Sequence, residues 1–167
     1  NTSSTGKIVS QISKMVTDNG NKSYIAFSGK YPENRDMENT IRIGFKLDFY
    51  WHALVTRIFD RHGFGSIRAT KKLLKKIDYI KPDIIHLHNL HGYYINIEIL
   101  FNYLARKQIP IVWTMHDCWS FTGHCSHFEF VDCNKWRESC YSCPQRSSYP
   151  SSLIKDNSKE NFLNKKR

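Results

Sequence analysis

Four histidines stand at the ends of two short apolar segments of the sequence. The segment at 84–88, IIHLH, continues as NLHG, so that His86, His88 and His91 lie at or just beyond its end. His116 follows the segment IVWTM in the same way. Imidazole donates, accepts or transfers protons near neutral pH, and it also binds metal ions. The spacing therefore indicates a polar edge that binds or activates a substrate.

The first histidine group admits a metal interpretation and a substrate interpretation. Alternation along a strand places His86 and His88 on one face and Leu87 on the other. Together with His116 they could hold the ion of a metal-dependent hydrolase, or one of them could simply pack in the core. No further ligand stands at a typical spacing, which favours substrate contact at the carboxyl end of a strand. The predicted substrate-binding residues of this segment are His86, His88, Asn89, His91 and Gly92.

His116 and Asp117 are the predicted catalytic residues. Neighbouring side chains on an extended chain point apart, so a dyad between these two is not expected. His116 would orient a substrate hydroxyl or phosphate. Asp117 would act as a base or cap the loop that follows.

All five cysteines fall in the segment that begins with this pair. Cys140 and Cys143 form a CxxC turn in which two thiolates can converge on a tetrahedral ion, and Cys125 and Cys133 could complete the set. Structural zinc is the favoured interpretation. Disulfides come second, because the count is odd and no leader is present, and free thiols come third. A redox centre fits less well in a loop. Cys118 leaves open which four would bind.

The elements that position these residues alternate between helix and strand. We predict helices over 5–19, 52–61, 67–80 and 94–107, and another from about residue 155. We predict strands over 23–27, 40–45, 84–88 and 111–115. Short apolar strands separated by helices favour parallel pairing, and hence a Rossmann-like three-layer α/β domain. We expect its first strand to lie upstream of residue 1, because the opening resembles a turn between strand and helix.

The opening NTSSTGKI offers free backbone N–H groups at a helix start. Such groups can receive a phosphate or carboxylate, although Ser and Thr are also ordinary caps there. Ser4, Thr5 and Gly6 are therefore further candidates for substrate binding. Both ends of the chain look cut, so a fragment is expected.

The net charge of +10 suggests an anionic partner. Four lysines at 71, 72, 75 and 76 alternate with apolar residues, which predicts the wet face of an amphipathic helix or contact with an anionic membrane surface. Nucleic acid is not expected as a partner, because no basic motif interleaved with aromatics is present. No apolar run approaches the roughly 20 residues of a membrane span.

The motifs together resemble the N-terminal half of bacterial family 4 glycosyltransferases. The resemblance rests on HLHNLHGYYIN, on WTMHDCWSFTGHC and on the later CxxCPQ and YP, followed by Lys155 and Asp156. It is closest to the subgroup of colanic acid and related exopolysaccharide or capsule synthesis. NTSSTGKI is similar to that subgroup's opening, with Ser3 in place of a Gly.

This resemblance implies a GT-B fold and retaining transfer from a nucleotide-sugar donor to a polysaccharide or lipid-linked acceptor, without a catalytic metal. Residues 1–167 would form the acceptor-side domain, with a cysteine-rich insertion at 117–150. The nucleotide-sugar domain would lie outside this chain, which alone would be inactive. Ser4–Gly6 would approach the donor phosphates, and His116 would contact donor sugar or acceptor. The enzyme would act at the cytoplasmic face of the membrane. A zinc-stabilised binding module without catalysis is the alternative.

Overall fold

The computed structural model of the protein describes residues 4–30 and 39–166. The predictions that concern residues 1–3 and the segment 31–38 lie outside these ranges. Helix α1 spans Ser4–Asp18, α2 spans Lys46–Phe59, α3 spans Ile67–Ile80, α4 spans Ile97–Lys107 and α5 spans Ser158–Lys166. Strands β1 to β4 span Ile25–Ser28, Thr40–Ile43, Ile85–His88 and Ile111–Thr114.

The strands form two parallel pairs. β1 pairs with β2 so that Ile25 lies opposite Thr40. β3 pairs with β4 so that His88 lies opposite Thr114. Parallel neighbours need a crossover, and α4 supplies it between β3 and β4. These elements confirm the predicted Rossmann-like α/β class.

Within the described residues, β1 and β3 are not hydrogen-bonded to each other. The additional strand that the sequence analysis expects stays a prediction. In a doubly wound sheet its place would be between these two strands.

The core lies where α3 and α4 meet the strands. α4 buries Leu100 and Leu104, and α3 buries Leu73 and Ile77. The i, i+4 spacing of each pair gives one apolar face per helix. Leu87 of β3 joins the same core, which turns the neighbouring histidines of that strand to the opposite face.

The predicted boundaries differ from the observed ones mainly at α2. Ile67–Ile80 is a helix over its whole predicted length, and the other elements shift by one to three residues. α2, predicted over 52–61, instead starts six residues earlier at Lys46 and ends at Phe59. Its first turn is held by the Asp48 carboxylate, which accepts the N–H of Phe45 at 2.8 Å.

The segment after β4 is irregular, as predicted. Its regular parts are two short 3₁₀ turns at Phe128–Val131 and Lys135–Arg137. None of the helices in the described ranges has the length and apolar character that crossing a bilayer requires.

Candidate functional site

The carboxyl ends of β3 and β4 bring three of the predicted histidines together. Parallel register sets His86 beside β4, where its Nε2 lies 2.8 Å from Thr114 Oγ1. Two residues further along β3, His88 Nδ1 lies 3.0 Å from His116 Nε2. One of these two nitrogens must carry the proton that the other accepts. His88 and His116 therefore form a hydrogen-bonded pair of imidazoles beside His86.

His88 is the central ring of this cluster. Burial, together with the neighbouring rings of His86 and His116, lowers the pKa of His88 to about 4. At neutral pH His88 therefore holds His116 in place as a hydrogen-bonding partner without adding positive charge.

Asp117 pairs with His91 across the loop after β4. Its Oδ2 lies 2.6 Å from His91 Nε2, and the two side chains are only 14% and 12% exposed. Its other oxygen accepts the N–H of Trp119 at 2.9 Å. Burial alone would raise the pKa of Asp117, but His91 and the Trp119 N–H hold it below its ordinary value. A carboxylate that orients an imidazole is the arrangement of an acid–base pair.

Tyr149 completes this second cluster. Its hydroxyl lies 3.2 Å from His91 Nδ1 and 3.2 Å from the His91 carbonyl oxygen. His91 thus links the carboxylate of Asp117 to a phenol on the far side of the cysteine-rich segment. The predicted pair of neighbours, His116 and Asp117, serves two different clusters, in agreement with the expectation that they do not form a dyad.

The start of α1 reaches the same edge. Ser4, Thr5 and Gly6 form the first turn of that helix. Asn89 Nδ2 donates to Thr5 Oγ1 at 2.9 Å, which ties the loop after β3 to the helix start. A helix N-terminus presents free N–H groups and the positive end of its dipole to an anion.

A shallow cleft runs along this edge. Asn89, His91, His116 and Asp117 contribute to its lining. Gly92 lies at the turn beyond it, where an added Cβ would come within 2.9 Å of the Tyr94 ring. The structure therefore places every predicted substrate-binding and catalytic residue on or beside one edge.

The four cysteines predicted as zinc ligands line a separate cleft. Cys125, Cys133, Cys140 and Cys143 all contribute to its wall, and all are free thiols. The thiols of Cys125 and Cys143 are hydrogen-bonded to each other. Cys118 stands apart, where burial and a 3.4 Å contact with Glu129 raise its pKa to about 11.

Two backbone N–H groups form hydrogen bonds at this cleft. The N–H of Gly123 donates to Cys140 Sγ at 3.1 Å, and the N–H of Cys143 donates to Asp156 Oδ2 at 2.7 Å. Across the described part of the chain, no group of three or more histidine, cysteine or acidic side chains is placed so that it could hold a metal ion. The assignment of zinc to these thiols therefore stays a prediction.

The sequence analysis missed a buried polar junction behind the site. Asp60 and His124 are fully buried, with Asp60 Oδ1 2.5 Å from His124 Nδ1. Asp60 also accepts the N–H of Asn157 at 2.8 Å, and its carbonyl accepts Asn161 Nδ2 at 2.5 Å. The one available signal was a charged residue between apolar α2 and the glycine at 63. That pattern does not reveal partners so far away in the sequence.

A lysine from α5 completes the support of the site. Lys165 Nζ donates to the carbonyl of Trp119 at 2.6 Å and to that of Thr122 at 3.0 Å. It also lies 3.6 Å from the centre of the Trp119 ring. Helix α5 thus fixes the loop that carries Asp117.

Comparison with known proteins gives one family and one curated relative. The model of Glycosyltransferase Family 4 matches residues 7–165. The chain is 31% identical over 100 residues to the candidate colanic acid biosynthesis glycosyl transferase WcaC of Escherichia coli (strain K12). The match covers 56% of this chain and 24% of the relative, so the chain spans about a quarter of that protein. No solved structure gives a significant match.

Proposed function

Because the chain belongs to glycosyltransferase family 4, we propose that it is the acceptor-binding part of a retaining enzyme that uses a nucleotide-sugar donor. The family expected from the motifs is confirmed, and with it the assignment to the glycosyltransferases. The acceptor in this proposal is a polysaccharide or lipid-linked precursor. The relative's name, which refers to colanic acid biosynthesis, supports that choice.

One observation carries the proposal, namely the edge where the ends of β3 and β4 meet the start of α1. The Asn89–Thr5 bond joins the histidine-bearing loop to a helix N-terminus. A phosphate of the donor would meet the N–H groups of that first turn. The acceptor hydroxyl would lie against His116 and the His91–Asp117 pair.

In the proposed reaction, the acceptor oxygen forms a bond to the anomeric carbon as the bond to the diphosphate breaks. The hydroxyl proton leaves with the departing diphosphate, and Asp117 fixes the position of the His91 ring against which the acceptor lies. Charge on the leaving diphosphate requires cationic groups that stabilise it. In the proposal these come from a second domain, so this chain alone is inactive. The enzyme works at the cytoplasmic face of the membrane.

The test is release of nucleoside diphosphate by the full-length protein. We expect release from one member of a panel of UDP- and GDP-sugars when a lipid extract supplies the acceptor. Asp117→Asn should lower the rate by about tenfold or more, because the imidazole loses its orienting charge. Asp132→Asn, on the exposed surface, is the matched control and should leave the rate unchanged. The absence of release from every donor, or equal rates for both variants, would contradict the proposal.

We further propose that the four-cysteine cleft binds one structural zinc ion. The support is that Cys125, Cys133, Cys140 and Cys143 share one small cleft, unlike Cys118. The segment around them is irregular, and a metal ion would add cross-links to such a loop.

Elemental analysis of anaerobically purified full-length protein tests the zinc site. We expect about one equivalent of zinc, which follows from a four-thiolate tetrahedral site. Cys140→Ser should lose the metal, whereas Cys118→Ser should keep it. Zinc-free protein whose thiols all react with a thiol reagent would refute the site. A Cys125–Cys143 disulfide found by mass spectrometry would also refute it.

A further inference from the structure

Helix α2 presents an apolar stripe to the solvent instead of burying it. Leu47 is 83% exposed, Trp51 65%, Tyr50 60% and Leu54 47%. Spacings of three, one and three residues place these four on one side of the helix, which we call the α2 face. The two fully buried residues of the helix, His52 and Thr56, are polar. The most exposed positions of α2 are therefore apolar, whereas its fully buried ones are polar.

The apolar surface continues beyond the helix. Leu153 and Ile154 are each 65% exposed. They are held beside the last turn of α2, because the N–H of Leu153 donates to the Arg57 carbonyl at 2.8 Å and that of Lys155 donates to the Ile58 carbonyl at 3.2 Å. Exposed apolar patches that extend over several elements mark a binding surface.

Cations border this surface. Lys46, Arg57 and Lys155 are exposed at its margin. Asp48, the acidic residue of the first turn, is engaged by the N–H of Phe45. Leucine, tryptophan and tyrosine next to lysine and arginine form the composition that lies in a lipid interface. The chain's net charge of +10 favours anionic lipids in particular.

From this arrangement we infer that the α2 face docks the protein on an anionic lipid bilayer. The aromatic and leucine side chains enter the headgroup region, and the bordering cations contact lipid phosphates. This binding does not depend on glycosyl transfer, so it can be tested with an inactive protein.

The lysines of α3 offer a contrast on the same molecule. Leu73 and Ile77 of that helix lie in the core, and its exposed apolar residues, Ile67 and Tyr79, stand apart at its two ends. The exposed lysines are Lys71, Lys72, Lys75 and Lys76. Of the two alternatives left open by the sequence, the described contacts favour an ordinary solvated face for α3.

Vesicle sedimentation with the full-length protein tests the inference. The probes are phosphatidylcholine vesicles with and without about a quarter of phosphatidylglycerol, a charge density that attracts basic surfaces. We expect binding to the anionic vesicles that weakens but persists in high salt, because part of it is apolar. The double variant Trp51→Ser, Leu54→Ser should bind about tenfold more weakly or worse, since two inserted side chains are lost. Lys71→Gln, Lys72→Gln is the control. It should change the binding less than threefold (about half a decade), because salt screens the exposed charges that it removes.

Three outcomes would overturn the inference. Equal binding by the wild type and the Trp51 and Leu54 variant is the first. The second is a wild-type dimer that this variant dissociates without any lipid binding, which would make the face a contact between copies. The third is protection of Trp51 from hydroxyl-radical labelling in the lipid-free full-length protein, which would show that the rest of the chain covers it. Unchanged circular dichroism of the variant confirms that the exposed substitutions leave the fold intact.

Discussion

Single hydrogen bonds fix the protonation of the buried histidines, and His52 shows how. The N–H of Gly65 donates to His52 Nε2 at 3.1 Å, so the ring proton must lie on Nδ1, which is 2.9 Å from Ser66 Oγ. An added Cβ at Gly65 would lie 2.5 Å from ring atoms, which explains why glycine stands there. If Nε2 were protonated, the N–H of Gly65 would lose its acceptor. Burial correspondingly lowers the pKa of His52 to about 4.

This depressed pKa predicts acid sensitivity that begins at a mild pH. The unfolded chain binds a proton at His52 near pH 6.5, whereas the folded chain does so near 4. Its contribution to the free energy of unfolding is therefore complete above 6.5 and is lost as the pH falls from 6.5 toward 4. We expect the stability advantage of the wild type over His52→Gln to shrink by about 3 kcal/mol across that window.

Urea unfolding of the full-length protein and of this variant at pH 7, 6, 5 and 4 measures the difference. His127→Gln, on an exposed ring, is the control and should give a curve parallel to that of the wild type. Parallel curves for His52→Gln as well would show that the buried ring does not govern the acid response.

At the scale of elements, the sequence predicted whatever depends on periodicity. Ile67–Ile80 shows a regular apolar face, and the structure has the helix over the whole predicted range. The start of α2 was missed because its exposed positions are apolar and its buried ones, such as His52 and Thr56, are polar. A pattern that assumes apolar residues inside cannot locate such a helix.

The candidate site was predictable to the same extent. Strand ends and parallel pairing were enough to bring His86, His88 and His116 to one edge. The pairing of His91 with Asp117 was not predictable, because it depends on the path of an irregular loop rather than on spacing. The junction of Asp60 with His124 depends on the same kind of tertiary return.

The Asp60 junction leads to a prediction about stability. Asp60→Ala would leave the ring N–H of His124 and the backbone N–H of Asn157 buried without an acceptor. We expect a loss of about 3 kcal/mol or more in the free energy of unfolding. Asp60→Asn keeps one acceptor and tolerates the left-handed backbone (φ 51°), so its loss should be smaller.

Thermal and urea unfolding of the full-length protein give the comparison. Asp83→Ala, at an exposed position before β3, is the control and should stay within about 0.5 kcal/mol of the wild type. An Asp60→Ala protein as stable as that control would mean that the junction does not hold α5 in place.

At the scale of the whole molecule, one side of the structure is polar and another is apolar. The histidine edge gathers the loops after β3 and β4 and the start of α1, and the α2 face lies on a different helix with its own cationic border. Lys165 and Asp60 connect the irregular segment between these regions to the last helix. In the two proposals above, the histidine edge contacts the substrates and the α2 face contacts the lipid.

The Asp60 junction also has a consequence for folding during synthesis. Its bonds to Asn157 and Asn161 join positions 97 and 101 residues apart in the sequence. Contacts of such long range are formed late, because the intervening chain must first be closed into a loop. While the ribosome is still translating the cysteine-rich segment, the carboxylate at the end of α2 has no partner from α5. The Asp60 junction can therefore form only after α5 has left the exit tunnel.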